Sequence, residues 1–287
     1  MDINSLRAFV EVAQTGSFSL ASANLFLTQP AISKRIASLE NQLGLKLFDR
    51  IGKKVFLTEA GTRLLPKAIE VLQQTDDIQR LASNMENQVS GPLILGTSHH
   101  IGLRRLPPAL KAFIKKYPDV NLDIRFMDSE QACHKVETGE LELAIVTLPQ
   151  HPAPNLDLQE IWPDPLAIMT NKEHPLAKKG SLSFKTLNDF PAVIPGKGTY
   201  TREILENALN AHQVKPDIAM STNYLETLKM LASIGLGWTL LPVSMKDKDL
   251  VQLDIKGLSV TRSLGIVTNQ QRTLSNPARA MMELCLN

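Results

Sequence analysis

The sequence predicts an α/β protein in three consecutive parts: a small helical N-terminal domain, one long helix, and an α/β domain of two subdomains. Three observations predict this order. Apolar residues recur at helical spacing near the N-terminus. They recur again over about eight turns after Thr58. Beyond residue 90, strand-like apolar runs alternate with helical patterns, which is typical of repeated β-α-β units.

The composition favours a globular protein of the reducing cytoplasm. The chain has 287 residues, of which 43% are hydrophobic and 21% charged, and this length suits about two domains. We find no signal-peptide pattern and no apolar run of membrane-spanning length, so we expect a cytoplasmic protein with no membrane partner. Cys133 and Cys285 form no CxxC pair. Two reduced thiols are expected, and a redox switch stays open as the alternative.

Positive charge is concentrated near the N-terminus. The whole chain has a formal net charge of +2, whereas residues 1–63 contain eight Lys or Arg against five Asp or Glu, an excess of three. This local excess favours a nucleic-acid partner for the first domain. Because the excess is modest, we expect binding to need more than one copy of the domain.

Residues 1–60 are predicted to begin with two short helices. The first helix follows from apolar residues at helical spacing: Leu6, Phe9, Val10 and Ala13. Gly16-Ser17 breaks this helix. Ser19 is expected to cap a second helix that runs through Leu25.

A third helix and a β-wing complete the first domain. Thr28 is a good N-cap, and Pro30 lies in the first turn, where its missing N–H costs little. Gly44 ends the helix. Phe48 and the run 55–57 then flank a charged turn, which predicts a small wing. Together these elements predict a winged helix-turn-helix whose third helix enters the major groove of duplex DNA.

Polar side chains on the third helix and the wing are the predicted DNA contacts. Gln can bond an adenine edge bidentately, and Arg or Lys can reach guanine or phosphate. Thr28 and Ser33 are expected to hold phosphates. The wing charges would follow the backbone or a minor groove, with a solvated basic turn as the alternative. The predicted DNA-binding residues are Thr28, Gln29, Pro30, Ser33, Lys34, Arg35, Arg50, Lys53 and Lys54.

Residues 61–90 are predicted to form a linker helix that opens near Thr58. Its apolar stripe consists of Leu65, Ala68, Leu72, Ile78, Leu81 and Met85. A small domain cannot bury so long a stripe alone. We therefore expect the helix to pack against the same helix of a second copy, and a plain surface helix is the alternative.

Residues 91–287 are predicted to form the two-subdomain α/β domain. The β-α-β succession implies a parallel sheet with helical crossovers. The first subdomain is expected to comprise residues 91–163 and 267–287, and the second residues 164–266. Because the chain would leave the first subdomain once and return near its end, a hinge and a ligand cleft are expected between the two.

The N-terminal block closely resembles the LysR-type transcriptional regulators. The resemblance is carried by Gly16-Ser17-Phe18, Ala21, Leu25, Gln29-Pro30-Ala31-Ile32-Ser33, Leu39-Glu40, Leu43-Gly44, Leu47-Phe48, Arg50 and Leu57-Thr58-Glu59-Ala60-Gly61. It implies a winged helix-turn-helix, a dimerising linker helix and a periplasmic-binding-protein-like effector domain, usually assembled as a tetramer. The chain departs at Ser22, where a second alanine is usual, and at Leu20, where a frequent basic residue would contact a phosphate.

The resemblance also implies a function. We expect a sequence-specific promoter-binding regulator that responds to a small-molecule effector, with RNA polymerase and further copies of the chain as partners. An effector-independent or thiol-responsive regulator is the alternative. The effector domain is similar to regulators of branched-chain amino-acid (leucine) biosynthesis, while sulfur and aromatic metabolism stay open. Activator and repressor roles are equally open.

In the family, the ligand lies at strand ends of the first lobe and at facing helix starts. Mapped onto this chain, the predicted effector-binding residues are Thr97, Ser98, His99, His100, Ser129, Thr147, Gly198, Thr199 and Asn223. Hydroxyls, helix-start N–H groups and histidine donors or charges favour a small organic acid. Alternatively, one of His99 and His100 caps the helix and the other is solvated. Lys197 and Arg202 are expected to be either ligand contacts or solvated charges.

We expect neither a cofactor, a metal nor an enzyme activity. His134, His151, His174 and His212 are scattered along the sequence and offer no ligand spacing. The sequence contains no GxSxG, HExxH or P-loop pattern.

Overall fold

A computed structural model describes residues 1–51, 54–86 and 88–286 of the chain. It forms two compact units, Met1–Glu86 and Asn87–Asn287. Within the described residues, no helix combines the length and the apolar character that crossing a membrane requires.

The first unit is a helix-turn-helix domain with a two-stranded wing and a long helix. In chain order its elements are α1 (Ile3–Thr15), α2 (Phe18–Asn24), α3 (Gln29–Leu43), β1 (Phe48–Ile51), β2 (Lys54–Leu57) and α4 (Glu59–Asn84). Strands β1 and β2 pair antiparallel, with Phe48 opposite Leu57. The predicted order of three helices, wing and linker helix is confirmed.

The ends of these helices follow local capping chemistry. Thr28 caps α3 as predicted, and its hydroxyl oxygen accepts from the Ala31 N–H at 3.4 Å. Gly44 ends α3 in the left-handed conformation, which glycine adopts without a steric penalty. The expected cap at Ser19 is wrong, because Ser17 caps α2 instead. Gly16 turns the chain at a φ of 62°, so one extended residue is enough before the next helix starts.

The core of the first unit fixes α3 against the wing. Phe48 of β1 contacts the rings of Phe9 and Phe18 at 5.5 and 5.9 Å between centroids. The buried Glu40 carboxylate accepts from the Leu47 N–H at 2.8 Å, which ties the end of α3 to the chain entering β1. At Gly61 a Cβ would lie 2.2 Å from the Leu47 carbonyl oxygen, so α4 approaches this segment as only glycine allows.

The apolar stripe of α4 is buried only in its first half. Leu65, Ala68 and Leu72 pack against the core of the first unit. Further along, Ile78 and Leu81 are 67% and 51% exposed. The prediction that the small domain cannot cover the whole stripe is therefore confirmed.

The second unit is an α/β domain of two lobes. Its elements are β3 (Gly91–Thr97), α5 (His99–Arg104), α6 (Pro107–Lys116), β4 (Val120–Phe126), α7 (Ser129–Glu137), β5 (Leu143–Thr147), β6 (Leu156–Asn171), β7 (Ala192–Ile194), α8 (Tyr200–Ala211), β8 (Ile218–Ser221), α9 (Leu225–Ser233), β9 (Thr239–Pro242), β10 (Leu250–Gln252), β11 (Val260–Asn269) and α10 (Asn276–Leu286). Short 3-10 turns lie at Pro175–Lys178, Phe184–Asp189 and Val243–Met245.

The main sheet is mixed, whereas the sequence predicted a parallel one. Strand β3 does pair in parallel with β4 and β5, and β7 pairs in parallel with β8 in a separate two-stranded sheet. Strand β11, however, is antiparallel to β5 and β6, and β9 and β10 are antiparallel to β6. The reason is that β6 leaves the first lobe and β11 returns to it, so the two strands run in opposite directions.

Strands β6 and β11 form the connection between the lobes. They pair from Leu156 opposite Asn269 to Leu166 opposite Val260. One apolar core lies around Phe113 and Ile145 in the first lobe, and another around Trp238 and Leu205 in the second. The crossing strands therefore hold together two separately packed lobes.

Candidate DNA-reading helix and effector cleft

Helix α3 presents its predicted contact residues on its first two turns. Its buried face consists of Ile32, Ile36, Leu39 and Glu40. Thr28, Gln29, Pro30 and Lys34 are exposed, and Ser33 and Arg35 are half-buried. An amphipathic helix that packs one face and leaves polar N-terminal residues free has the form of a recognition helix.

Two neighbours shape the start of α3. The Ser19 hydroxyl donates to the Gln29 side-chain oxygen at 3.3 Å. In the turn before α3, Phe26 has a φ of 54° and is 95% exposed. Left-handed backbone costs a side chain roughly 1–2 kcal/mol, and no packing offsets it here. Sequence reasoning did not single out Phe26, because its exposure depends on the turn geometry.

The predicted wing contacts are described in part. Arg50 lies in β1 opposite Val55, and Lys54 lies in β2 opposite Ile51. Lys53 lies outside the described residues.

In the second unit, seven predicted effector residues surround one cavity of about 60 Å³ between the lobes. These seven are Ser98, His99, His100, Ser129, Thr147, Thr199 and Asn223. Six further residues complete the lining: Asp128, Glu130, Pro195, Thr201, Leu225 and Arg262. Side chains from both lobes and from β11 thus meet in one cleft.

Two predicted effector residues lie outside this lining. The buried Thr97 hydroxyl donates to the Ile145 carbonyl at 2.8 Å within the sheet. Gly198 takes a φ of 82° in the turn that leads into α8. In the same turn, a Cβ at Gly196 would lie 2.0 Å from the Asn223 side-chain oxygen. Only glycine at this position therefore leaves room for the Asn223 amide.

The two charges of that turn have different outcomes: Lys197 agrees with the expected solvated charge, whereas Arg202 has neither of its expected roles. Lys197 is exposed and does not line the cavity. Arg202 is buried, and it donates to Glu206 at 2.6 Å and to the Pro195 carbonyl at 3.1 Å. Arg202 is therefore neither a solvated charge nor part of the lining, and it holds the turn against α8.

A buried ion pair lies at the base of the cleft, on the strands that connect the lobes. Arg262 of β11 and Asp164 of β6 are direct register partners. Two guanidinium nitrogens of Arg262, Nε and Nη2, lie 2.8 Å from Asp164 Oδ2. Arg262 Nη1 donates to the Thr201 hydroxyl at 3.0 Å, and Arg105 donates to the other Asp164 oxygen at 3.2 Å. Through these two hydrogen bonds, the ion pair contacts α8 of the second lobe and the turn between α5 and α6 of the first lobe.

His100 lies beside this pair. It is 7% exposed, and neither ring nitrogen has a hydrogen-bond partner within the described part of the chain. Burial, with the nearby Arg262 charge, lowers the pKa of His100 to about 4. Of the two roles expected of His100, positive charge or hydrogen-bond donor, only the donor fits a ring that is neutral at neutral pH.

His99 has a different environment from His100. It is exposed, and its ring lies 5.3 Å from Phe126 and 5.1 Å from Tyr224. Neither histidine caps the helix, because Ser98 holds the N-cap position of α5. Helix α5 has only six residues. The electrostatic attraction of its N-terminus for an anionic ligand is therefore weak.

Polar contacts cross the cleft between the lobes. Asn223 donates to Asp128 at 2.6 Å, and the Tyr200 N–H at the start of α8 donates to Glu130. Burial raises the pKa of the Glu130 carboxyl. Both acids stand at the start of α7, so this end of the first lobe is bonded to two helix starts of the second.

The two cysteines are buried and unpaired with each other. Burial raises the pKa of each thiol to about 11. Both are therefore protonated near neutral pH, whereas reactive cysteines have lowered pKa values. Among the described residues, no group of three or more His, Cys, Asp or Glu side chains is arranged to hold a metal ion.

A recognition helix beside a basic wing, followed by a two-lobed domain with a polar cleft, defines a DNA-binding transcriptional regulator with a ligand-binding domain. Residues 3–62 match the profile of the bacterial regulatory helix-turn-helix proteins of the lysR family, and residues 86–287 match that of the LysR substrate binding domain. The chain belongs to the LysR family of transcriptional regulators. Its predicted fold class and family are confirmed.

Similar proteins cover the whole chain or its parts. A probable RuBisCO transcriptional regulator of Thalassiosira pseudonana is 30% identical over 93% of this chain and 91% of its own length. An uncharacterized HTH-type transcriptional regulator in the ibpB-leuC intergenic region of Azotobacter vinelandii is 59% identical over 108 residues, which are 38% of this chain and 75% of that protein. The structure of a full-length OxyR variant from Pseudomonas aeruginosa has a TM-score of 0.71 at 25% identity, covering 100% of this chain and 93% of that one.

We expect His100 to make the second unit sensitive to acid. An unfolded histidine titrates near pH 6.5, whereas the pKa of folded His100 is about 4. The stabilisation from neutral His100 is complete above pH 6.5 and is lost as the pH falls toward 4, because the unfolded chain binds the proton first. Between pH 7 and 4.5 this amounts to about 2–3 kcal/mol.

Urea unfolding followed by tryptophan fluorescence measures this effect, because both tryptophans, Trp162 and Trp238, lie in the second unit. His100→Leu should reduce the acid-induced loss of unfolding free energy, and the exposed control His151→Leu should not. If the wild type and both variants lost the same unfolding free energy in acid, His100 would not be the group responsible for the acid sensitivity.

Proposed function

We propose that the protein is a sequence-specific promoter-binding regulator whose activity is modulated by a small organic acid in the cleft. The observation that carries this proposal is the cavity lined by polar side chains of both lobes around Ser98, Asn223 and Arg262, in a chain that also holds a helix of the recognition type. A ligand that contacts both lobes binds their closed arrangement best, so it shifts the population toward that arrangement.

The DNA-binding part of the proposal is supported by the exposed and half-buried polar residues at the start of α3. Gln29 and Arg35 are the proposed base contacts, and Thr28, Pro30, Ser33 and Lys34 are proposed to adjoin the DNA backbone. Arg50, Lys53 and Lys54, the basic residues that the sequence gives this segment, are proposed as further contacts to the DNA phosphates. Phe26, exposed beside this helix, is placed to make an apolar contact with a sugar or a thymine methyl group.

Assembly is supported by the exposed half of the α4 stripe. Ile78, Leu81 and Met85 leave a row of apolar side chains uncovered on a helix, and the same helix of a second copy would cover it. Two recognition helices in one dimer would compensate for the modest charge of each domain. We propose a homodimer that assembles further into a tetramer and contacts RNA polymerase at the promoter.

The effector is proposed to come from amino-acid metabolism. The A. vinelandii relative is described as lying in an ibpB-leuC intergenic region. This agrees with the similarity to regulators of leucine biosynthesis, so small acids of branched-chain amino-acid metabolism are the first candidates. The thiol-responsive alternative is not favoured, because both thiols are buried and have raised pKa values.

Removing one proposed phosphate contact, Ser33, and one proposed base contact, Arg35, should weaken specific DNA binding. We expect Ser33→Ala with Arg35→Ala to cost a few kcal/mol on a duplex selected from a random library by the wild-type protein, at about 1–3 kcal/mol per good base contact. Fluorescence anisotropy in one fixed salt concentration measures the affinity. Asn41→Ala, at the exposed far end of α3, is the matched control. Full affinity of the double variant would overturn the recognition-helix assignment.

Charging the exposed stripe should dissociate the oligomer. Ile78→Glu with Leu81→Glu would bury two unpaired carboxylates in a helix–helix contact, so sedimentation velocity should show smaller particles than the wild type. Gln79→Glu adds a charge at a neighbouring exposed position and should leave the assembly intact. A monomeric wild type, or an unchanged double variant, would speak against assembly through α4.

A further inference from the structure

Resting on the proposed function, the charges of the cleft point to a narrower class of effector. Its lining contains two carboxylates, Asp128 and Glu130, and one guanidinium, Arg262. The Arg262 charge is already opposed by Asp164, 2.8 Å away. A purely anionic ligand would therefore meet two acids and only one cation, which is itself partly neutralised.

The cavity lining also contains buried polar groups that have no hydrogen-bond partner among the described residues, and a polar ligand would satisfy them. His100 is more than nine-tenths buried and lines the cavity, and neither of its ring nitrogens has a partner among the described residues. Arg262 Nη2 lies close to Asp164 but makes no properly angled hydrogen bond there. A neutral imidazole has one donor and one acceptor, so this corner can receive a carboxylate without an added charge.

The two acids are in turn positioned to receive donors. Asp128 holds the N-cap position of α7, yet its side chain makes no cap bond and reaches Asn223 across the cleft. One Glu130 oxygen accepts the Tyr200 N–H of the second lobe. A carboxylate has about four acceptor sites, so both acids keep capacity for a cationic donor such as an ammonium group.

We propose that the effector is a zwitterion of the amino-acid class, whose ammonium group binds Asp128 and Glu130 and whose carboxylate binds Arg262, His100 and the hydroxyls of Ser98 and Thr147. The cavity of about 60 Å³ has room for roughly four to six water-sized groups, which suits a small amino acid. Because Asp128 and Glu130 are bonded to helix starts of the second lobe, the ammonium would strengthen the contacts that hold the lobes together.

The test compares molecules that differ only in the amine. Full-length protein is titrated by calorimetry with L-2-amino acids, the 2-hydroxy and 2-keto acids of the same carbon skeletons, and isopropylmalate-like diacids. At least one amino acid should bind, and at least tenfold more tightly than its hydroxy and keto counterparts. Tighter or equal binding of the hydroxy, keto or dicarboxylic acids would overturn the proposal.

Variants locate the ammonium site. Glu130→Gln keeps an oxygen for the Tyr200 N–H but removes the charge, and should weaken amino-acid binding at least tenfold. Asp128→Asn should act in the same direction, and it serves as the second variant if Glu130→Gln unfolds. The control Glu137→Gln, at the far end of α7, should bind as the wild type does. Unchanged amino-acid affinity in the folded Glu130 and Asp128 variants would also overturn the proposal.

Failure of this inference is distinguishable from failure of the proposed function. If only simple acids bind and alter DNA affinity, the effector function stands and the zwitterion is refuted. If no compound binds while the selected duplex is still recognised, the effector function itself is refuted, and this inference with it.

Discussion

The buried pair of Arg262 and Asp164 is the interaction on which the ligand-binding domain depends. It joins β6 to β11 where the chain passes between the lobes. Removing a charge from water is costly, and the cost is offset only when the partner is close and the remaining donors are satisfied. Here Thr201 accepts from Arg262 Nη1 and Arg105 donates to the second Asp164 oxygen, while Arg262 Nη2 is held beside Asp164 by charge alone. The same pair forms the base of the cleft and lies beside His100, so the connection between the lobes and the recognition of a ligand share one set of side chains.

The DNA-binding unit depends on a different constraint, which is close packing around the chain between α3 and β1. Glu40 bonds the Leu47 N–H, and Gly61 of α4 leaves no space for a side chain against the Leu47 carbonyl. These contacts fix the recognition helix and the start of α4 relative to one another. The helix can then present polar residues to DNA with its apolar face fully packed, while the second half of the α4 stripe stays uncovered.

Local chemistry made much of the fold predictable. The caps at Thr28 and Thr58, the stop at Gly44 and the wing follow from a few neighbouring residues each, and they were found in place. The cap of α2 was missed by two residues because Gly16 leaves only Ser17 before the helix.

Features that depend on distant residues were not predictable in the same way. Asp164 and Arg262 are far apart in sequence, and only the pairing of β6 with β11 makes them partners. The family resemblance indicated Ser98, His100, Ser129 and Asn223, whereas the acid Glu130, which changes the charge of the cleft, was found only in the structure. His100 could be taken for a positive group from sequence alone, because its burial arises from the packing of several elements.

Unfolding of Asp164→Asn tests the central role of the buried pair most directly. Urea titration followed by the tryptophan fluorescence of the second unit should show a loss of about 3–5 kcal/mol, because two arginines lose their buried counter-charge. Asp123→Asn removes a half-exposed partner of Arg125 and should cost less than about 1 kcal/mol. Small and equal losses in the two variants would contradict the account, since the strands between the lobes would then hold without the pair.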